Sequence, residues 1–411
     1  MTASDPKKIV LAYSGGLDTS VILPWLKDRY PGVKLVAFAA ELGQGDELAG
    51  IEKKAYASGA DEVVVKDLRQ EFAEQYCFPT LRAHAIYEDD YMLGTSIARP
   101  LIAKHQVLVA KETKADAVGH GATGKGNDQV RFELTCMALN PKLKLISPWK
   151  DPQFIADGLT DRETAIDYAK QHNIPIAQTK KKIYSQDRNL WHISHEGAEI
   201  EDPAAEPNWK HCLTMSVPLE KAPAKPAYVE ISFKNGTPIA VDGETLKGHD
   251  LIAKLNALGG AHAVGQALLV ENRLVGMKSR GVYETPGGSI LYAAHKALQQ
   301  VCIERDTYHY SRQASQRYAE LVYNGQWFHP LRESLQVFFD DINRVVTGTA
   351  RIKLYKGNII AVGAEAPKTS LYDENLASFA MDGYDITAAR GFIDLFGLPM
   401  KVRGLRHKIK G

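Results

Sequence analysis

The amino-acid sequence predicts an α/β protein that begins with a doubly wound parallel sheet. Its first part alternates short β-rich runs with stretches of helix-forming composition, a pattern typical of β-α-β units. The predicted strands are residues 8–13, 33–39, 62–66 and 117–119, and the predicted helices are residues 20–28, 47–57 and 97–112. Ligands bind beyond the carboxyl ends of the strands in such a sheet, so we expect functional residues there.

A change of composition past the middle of the chain predicts a second, α+β domain. Three clustered prolines, Pro218, Pro223 and Pro226, precede a hairpin pattern around an Asn235-Gly236 turn. The predicted hairpin strands are residues 228–233 with 239–241 and residues 351–355 with 359–362, and a last helix is predicted at 386–396. We therefore predict domains at residues 1–173 and 174–365, followed by a C-terminal helical tail at 366–411.

Composition and charge favour a protein that acts on small molecules. A length of 411 residues predicts about two or three domains, and 45% hydrophobic residues are typical of globular proteins. A net charge of +1 provides no general attraction for nucleic acid or an anionic membrane, so we expect neither partner. The four cysteines lack zinc-site spacing, and no permanent metal site is predicted. The polar N-terminus and the lack of a long apolar run predict a cytoplasmic location.

The most informative segment is an apolar strand that breaks into a Ser14-Gly15-Gly16 turn and then opens a helix. Paired glycines let the backbone approach a ligand closely, and the amides at a helix N-terminus favour phosphate. Asp18 is unusual in such a place, and we interpret it as a Mg²⁺ contact or a helix cap. The alternative is an ordinary serine-glycine turn that caps a helix.

This turn lacks the lysine and the spacing of a Walker loop, so transfer of the γ-phosphate is not expected. It resembles the SGGxDS/T loop of the N-type ATP pyrophosphatases. That resemblance implies that the loop holds the β,γ-pyrophosphate as a leaving group while an acceptor oxygen attacks the α-phosphorus. Glutamine-fed members of this group need a nucleophilic cysteine, and thiolating members usually carry paired cysteines and a basic RNA-binding surface. This chain has neither signature.

Four further segments resemble the argininosuccinate synthase family. They are residues 87–100 (YEDDYMLGTSIARP), 120–133 (HGATGKGNDQVRFE), 184–194 (YSQDRNLWHIS) and 271–287 (ENRLVGMKSRGVYETPG). The second segment is the most specific of the four. One departure is Arg188, which stands where many relatives have an acid. The resemblance implies a nucleotide-binding first domain, a synthetase and multimerisation second domain and an oligomerisation tail.

The resemblance also implies a set of binding residues. ATP is expected on Ala12, Tyr13, Ser14, Gly15, Gly16, Leu17, Asp18, Thr19, Ser20, Ala40 and Gly121. L-aspartate is expected on Thr123, Asn127 and Asp128. L-citrulline is expected on Tyr91, Ser96, Asn127, Arg131, Ser185, Ser194, Glu271 and Tyr283. The catalytic candidates are Asp18, Asp128, Arg99 and Lys125, the last two as contacts for the leaving pyrophosphate.

The function that the resemblance implies is ATP-dependent ligation of citrulline and aspartate through a citrullyl-adenylate, with release of AMP and pyrophosphate. ATP with Mg²⁺, a homotetramer, and a place in arginine biosynthesis or the urea cycle belong to the same expectation. Two alternatives stay open from the sequence. One is a tRNA-modifying adenylating enzyme, and the other is a nucleotide-binding sensor without catalysis.

Two minor signals have ordinary explanations. His192, His195 and Glu196 have a spacing that could hold a metal on a helix, but His192 belongs to the citrulline-like segment and no further ligand is evident. The lysine run at 180–182 and the basic end at 401–410 could contact RNA, although short charge runs are more often solvated surfaces.

Overall fold

A computed structural model describes residues 5–124, 126–160, 162–172, 174, 184–378 and 383–407. Lys125, the lysine run at 180–182 and residues 408–410 therefore lie outside the described residues. The described chain divides into two compact units between Thr369 and Ser370. The predicted domain limits near residues 173 and 365 stay a prediction.

The first unit begins with a five-stranded parallel sheet in the order β3-β2-β1-β4-β5. Its strands are β1 Lys8–Ala12, β2 Lys34–Glu41, β3 Glu62–Asp67, β4 Ala117–Gly119 and β5 Lys144–Ile146. The strand order reverses between β1 and β4, which makes their carboxyl ends the topological switch point of the sheet. A crevice opens at such a point, and ligands bind there in this class of fold.

Helices cover both faces of this sheet. They are α1 Leu17–Arg29, α2 Ile51–Ala57, α3 Arg69–Phe72, α4 Phe78–Arg82, α5 Gly94–Thr113, α6 Asp128–Leu139, α7 Pro152–Ala156 and α8 Arg162–Gln171. Side chains of β1 alternate between two apolar clusters, with Ile9 and Leu11 packing among residues of α1 and α8. Val10 and Ala12 pack in the cluster that contains the α5 residues. The predicted doubly wound sheet is confirmed.

One prediction for this sheet needs correction, and one strand was not predicted. The helix predicted at 47–57 is interrupted, because Gly50 adopts φ 70° and separates a 3₁₀ turn, Gly45–Leu48, from α2. Only glycine takes that conformation readily, so the glycine ends one element and starts the next. Strand β5 was not predicted, since three half-buried residues carry too little periodic signal.

The rest of the first unit is α+β, as predicted. Its strands are β6 Ser185–Arg188, β7 Ile193–Glu196, β8 Ala227–Lys234, β9 Thr237–Val241, β10 Glu244–Thr245, β11 Gln266–Asn272, β12 Lys278–Glu284, β13 Gly348–Tyr355 and β14 Asn358–Glu365. Its helices are α9 Trp209–Cys212, α10 Gly248–Ala261, α11 Pro286–Cys302, α12 Arg305–Tyr323 and α13 Pro330–Ile342. The strands form a five-stranded sheet, β10-β9-β8-β13-β14, and a four-stranded sheet, β11-β12-β7-β6.

Both predicted hairpins are confirmed in the five-stranded sheet. The turn between β8 and β9 places Asn235 and Gly236 at φ 51° and 72°, and the turn between β13 and β14 places Lys356 and Gly357 at 45° and 79°. Two successive positive φ angles match the right-handed twist of paired strands, which explains why Asn-Gly favours this turn.

The register of the four-stranded sheet assigns its side chains to two faces. Ser194 pairs with both Asp187 and Tyr283, and Glu271 pairs with Ser279. Directly opposed residues point to the same face and alternate residues along a strand do so too. One face therefore carries Ser185, Asp187, Ser194, Glu271 and Tyr283. The opposite face carries His195 and Glu284.

Glu284 anchors that opposite face. Its fully buried carboxylate accepts hydrogen bonds from His195 Nε2 at 2.8 Å, from the backbone amides of Thr214, Met215 and Ser216, and from the Ser216 hydroxyl. Burial acts to raise the pKa of this carboxyl, but the hydrogen bonds from His195, Ser216 and Thr214 outweigh burial and lower it. The network fastens the loop at 214–216 to the end of β12, directly behind Tyr283.

The second unit is a helical tail. Its helices are α14 Glu374–Ala377, α15 Ala388–Phe396 and α16 Leu398–Arg406, so the helix predicted at 386–396 is confirmed from Ala388 onward. The large apolar side chains of α15 and α16 are exposed, and Phe396 and Leu405 keep 76% and 79% of their surface accessible. Across the described ranges, no helix combines the length and apolar character needed to cross a bilayer.

We predict that Glu284→Ala lowers the free energy of unfolding by about 3 to 5 kcal/mol, because it leaves buried donors without their acceptor. The native pKa of Glu284 is lowered, so its contribution is present above the ordinary carboxyl pKa of about 4.3 and is lost as the pH falls. Urea denaturation at neutral and acidic pH measures both effects. Glu201→Ala removes an exposed carboxylate and serves as the control. Equal midpoints for the two variants at neutral pH would contradict the role of Glu284.

Candidate active site

The Ser14-Gly15-Gly16 loop, which the sequence predicts to bind phosphate and which is called the phosphate loop below, lies between β1 and α1. Gly15 adopts φ 73°, and Gly16 occupies the N-cap position of α1. The Gly16 amide donates to Ser14 Oγ at 3.2 Å, and the Ser14 and Thr19 hydroxyls lie 3.2 Å apart. These hydrogen bonds order the loop at a helix N-terminus, a place suited to an anion.

The other predicted ATP residues gather around this loop at the switch point. Gly121 follows β4, and a Cβ built on it would lie 2.8 Å from Thr19 Cγ2, so only glycine permits this approach to α1. Ala40 lies near the end of the neighbouring strand β2, and its carbonyl accepts a hydrogen bond from Gln44 at 2.8 Å. Three chain segments distant in sequence thus meet at one sheet edge.

Asp18 lies in the first turn of α1 with an exposed side chain. Its interpretation as the helix cap is wrong, because Gly16 takes the cap position two residues earlier. A carboxylate in the first turn is favoured by the helix dipole, so Asp18 is compatible with the loop without a capping role. Its role as a Mg²⁺ contact stays a prediction.

Asp128 is the centre of the charged part of the site. It begins α6 and accepts hydrogen bonds from Arg99 Nε at 2.8 Å and from Arg131 at 2.9 Å. Burial acts to raise the pKa of Asp128, but the two guanidinium groups outweigh burial and lower it. Asp128 is therefore a fixed negative charge at the start of α6.

Arg99 is engaged by carboxylates on two sides. Besides Asp128, its guanidinium hydrogen-bonds Asp187 on β6, which also accepts from the Thr95 hydroxyl at 3.0 Å. Thr95 in turn lies 3.0 Å from His192 Nε2. Burial lowers the pKa of His192 to about 4, so the ring is neutral near pH 7.

The side chains of His192, His195 and Glu196, whose spacing could have held a metal, do not converge. His192 bonds Thr95, whereas His195 bonds Glu284 on the other face of the sheet, and Glu196 bonds Arg273 at 2.6 Å. Among the described residues, no group of three or more His, Cys, Asp or Glu side chains converges as metal ligands would.

Glu271 marks a second, aromatic part of the site. Its buried carboxylate accepts from the Tyr283 hydroxyl at 3.2 Å and from the Tyr323 hydroxyl at 2.9 Å. Burial raises the pKa of Glu271 despite these donors and the nearby Arg131 and Arg273. The ring centroid of Tyr91 lies 5.2 Å from that of Tyr283.

Tyr323 joins the charged and aromatic parts. Its carbonyl accepts from Arg131 Nε at 3.1 Å, and the Arg131 guanidinium lies 5.1 Å from the centre of its ring. On the other side, the ring stacks on Tyr87 at 3.6 Å. The end of α12 thus fixes both Arg131 and Glu271, two of the residues predicted to bind citrulline.

Some of the predicted citrulline and aspartate residues lie in one buried cluster, and others are exposed. Ser96 Oγ lies 3.4 Å from the Tyr91 hydroxyl, and buried Ser194 shares a sheet face with Glu271. Asn127 is buried, and its Oδ1 accepts from the Leu274 amide at 2.9 Å. The side chains of Thr123 and Ser185 are exposed, and in the described part of the chain neither contacts this cluster. Lys125 lies outside the described residues.

Three residues of the site were not singled out from the sequence. Asp187 could have been found, because it alternates with Ser185 on a strand and must share its face. Tyr323 and Lys54 gave no signal, since each acts through a contact with a segment far away in the chain. Tyr323 reaches Glu271, and the Lys54 ammonium donates to the carbonyl of Gly15.

Comparisons with known proteins identify the family of this chain. The family model described as the arginosuccinate synthase N-terminal HUP domain matches residues 8–175, and the arginosuccinate synthase C-terminal domain matches residues 184–403. A U34-tRNA thiolase NcsA structure from Methanococcus maripaludis with its [4Fe-4S] cluster gives a TM-score of 0.28 at 15% identity, over 43% of this chain and 60% of that chain. So weak a likeness supports no conclusion.

Curated relatives match over nearly the whole chain. An argininosuccinate synthase from Desulforamulus reducens is 55% identical over 405 residues, which cover 98% of this chain and 99% of the relative. One from Acetivibrio thermocellus is 55% identical, covering 99% and 100%, and a chloroplastic one from Arabidopsis thaliana is 54% identical, covering 98% and 80%. With two family models and relatives of this similarity, the chain belongs to the argininosuccinate synthase family.

Proposed function

We propose that this protein joins L-citrulline to L-aspartate at the expense of ATP, through a citrullyl-adenylate, and releases AMP and pyrophosphate. The observation that carries the proposal is that the chain after β4 contributes to two features, since Gly121 lies against Thr19 of α1 and Asp128 begins a charged cluster. A phosphate loop without Walker features lies at the switch point that Gly121 also borders, and Asp128, Arg131 and Glu271 form a connected cluster. Membership of the argininosuccinate synthase family supports the same reaction.

In the first half-reaction, the ureido oxygen of citrulline attacks the α-phosphorus of ATP, and the bond to pyrophosphate breaks. The loop at Ser14–Gly16 supplies backbone amides for the leaving group, and α1 adds its dipole. Mg²⁺ would arrive with ATP and neutralise part of the phosphate charge, with Asp18 as the proposed contact. The protein contributes mainly by placing the ureido oxygen in line with the α-phosphorus.

The proposed citrulline pocket matches the chemistry of that substrate. Citrulline has a charged amino-acid end and a neutral ureido end. Glu271 offers a carboxylate for the ammonium, and Arg131 offers a guanidinium for the carboxylate. Tyr91 and Tyr283 provide a partly apolar wall with hydroxyl groups, which suits a neutral ureido group better than an ionised side chain.

In the second half-reaction, the aspartate amine attacks the ureido carbon, AMP leaves and the amine loses a proton. Asp128 carries a held negative charge that suits the ammonium of incoming aspartate, and Asn127 begins the same helix. Thr123 is exposed on the preceding loop, where its hydroxyl is available to a carboxylate of aspartate. These three residues are the proposed aspartate subsite.

A cytoplasmic homotetramer in arginine biosynthesis or the urea cycle is part of the same proposal. The family resemblance and the exposed apolar side chains of the tail helices support an assembly.

We predict that citrulline labelled with ¹⁸O at the ureido group transfers its label to AMP, because the ureido oxygen becomes bonded to the α-phosphorus. Mass spectrometry of AMP after one turnover measures the transfer. Unlabelled AMP from labelled citrulline would exclude the adenylate route.

We predict that Glu271→Gln raises the citrulline KM by roughly ten- to a hundredfold, because a charged hydrogen bond contributes about 1.5 to 3 kcal/mol. The KM for ATP should change less than about twofold, since Glu271 makes no contact with the phosphate loop. Initial rates with each substrate varied measure both constants, and Glu230→Gln, an exposed carboxylate of β8, is the control. An equal rise in both KM values would count against a citrulline site at Glu271.

We predict that Thr123→Ala and Asp18→Asn separate the two half-reactions. With citrulline present and aspartate absent, radiolabelled pyrophosphate should exchange into ATP in Thr123→Ala, while argininosuccinate formation slows roughly ten- to a hundredfold. Asp18→Asn should suppress both, because it affects the phosphate loop or its Mg²⁺. If Thr123→Ala abolishes exchange as fully as Asp18→Asn, the separate ATP and aspartate subsites are wrong.

A further inference from the structure

Helix α2 brings a lysine onto the phosphate loop. The Lys54 ammonium donates to the carbonyl of Gly15, the loop residue with positive φ. Ile51, one turn earlier, packs on the same glycine, since a Cβ built on Gly15 would lie 3.5 Å from Ile51 Cγ1. The loop and α2 are therefore in direct contact, and the cation lies on the loop to which the proposed function assigns the phosphates.

Lys54 is a half-buried cation without a compensating acid. No carboxylate among the described residues forms an ion pair with it, whereas most buried cations of the site have one. Burial accordingly lowers the pKa of Lys54. Taking an ammonium from water without a counter-charge is unfavourable, so this position favours a bound anion. The carbonyl of Gly15 accepts from one of the three N–H donors of the Lys54 ammonium, which leaves two donors for a ligand.

Arg99, the cation expected from the sequence at the leaving pyrophosphate, is placed differently. Its Nε donates to Asp128 and its terminal nitrogen to Asp187, so two carboxylates already compensate one guanidinium. Lys54 has no such partners and touches the loop itself. The positive charge of Arg99 is thus compensated by carboxylates, whereas that of Lys54 is not, and an uncompensated charge favours anion binding.

We infer that Lys54 binds the β,γ-phosphates of ATP and stabilises the departing pyrophosphate. This inference rests on the proposed function. As the ureido oxygen bonds to the α-phosphorus, the bond from that phosphorus to the bridging oxygen breaks and its electron pair stays on pyrophosphate. A cation fixed on the loop stabilises this growing charge without any movement of the loop.

The test compares Lys54→Gln, Lys54→Arg and Lys53→Gln. Glutamine keeps N–H donors but carries no charge, and arginine keeps the charge. Lys53 is the exposed neighbour on the same helix and is the matched control. Four quantities are measured: kcat/KM for ATP, the inhibition constant of pyrophosphate, the citrulline KM and the thermal midpoint.

We predict that Lys54→Gln lowers kcat/KM for ATP and weakens pyrophosphate inhibition, each by roughly ten- to a hundredfold. The citrulline KM and the thermal midpoint should stay near those of the wild type, and Lys54→Arg should recover at least part of the loss. Lys53→Gln should behave as the wild type.

Two outcomes would overturn the inference. One is wild-type behaviour of Lys54→Gln, and the other is equal damage in Lys54→Gln and Lys54→Arg with a lowered thermal midpoint, which would indicate a purely structural lysine. Calorimetric binding of a non-hydrolysable ATP analogue to the same variants tests Lys54 independently of turnover. If the wild type forms no argininosuccinate but Lys54→Gln binds the analogue more weakly, the proposed reaction fails and the phosphate contact stands.

Discussion

The site depends on the removal of two guanidinium groups from water. Arg131 is almost fully buried and Arg99 is largely so, which is tolerated only if nearby acceptors satisfy both. Asp128 supplies that compensation to both, and it lies three residues before Arg131 on the same helical face. In addition, Arg131 Nε donates to the Tyr323 carbonyl, and the Arg99 guanidinium hydrogen-bonds Asp187. The start of α6, the end of α12 and strand β6 are thereby tied together by charge rather than by apolar packing alone.

The pleat of the four-stranded sheet places the proposed binding residues on one face and the residues that support them on the other. One face carries the serine, carboxylate and tyrosine side chains of the proposed citrulline pocket. The other face carries the His195–Glu284 pair, which holds the loop at 214–216 against the strand ends. Because Tyr283 and Glu284 are neighbours on β12, the buried network fixes the backbone from which the site tyrosine projects. Support for the proposed pocket thus comes from residues on the opposite face of the sheet.

The sequence predicted the local elements well where the signal was local. The strand-loop-helix at residues 8–20 and the Asn235-Gly236 turn were readable because their conformations depend on neighbouring residues. Gly50 showed the limit, since a composition typical of a helix did not reveal a positive φ that divides it. The family resemblance supplied the predicted binding residues, but it did not indicate the residues that hold them in place. Tyr323 and Lys54 act across long separations in the chain, and no periodicity or motif connects them to Glu271 or Gly15.

The exposed apolar side chains of the tail have a consequence for how the protein responds to dilution. Each large apolar side chain that a partner covers contributes about 1.5 to 3 kcal/mol, and Phe392, Leu395, Phe396 and Leu405 are all mostly accessible in the single chain. In the proposed homotetramer, covering these side chains would link folding to association by mass action. The melting temperature of the protein would then rise with its concentration, and a dilute solution would be a destabilising condition in its own right.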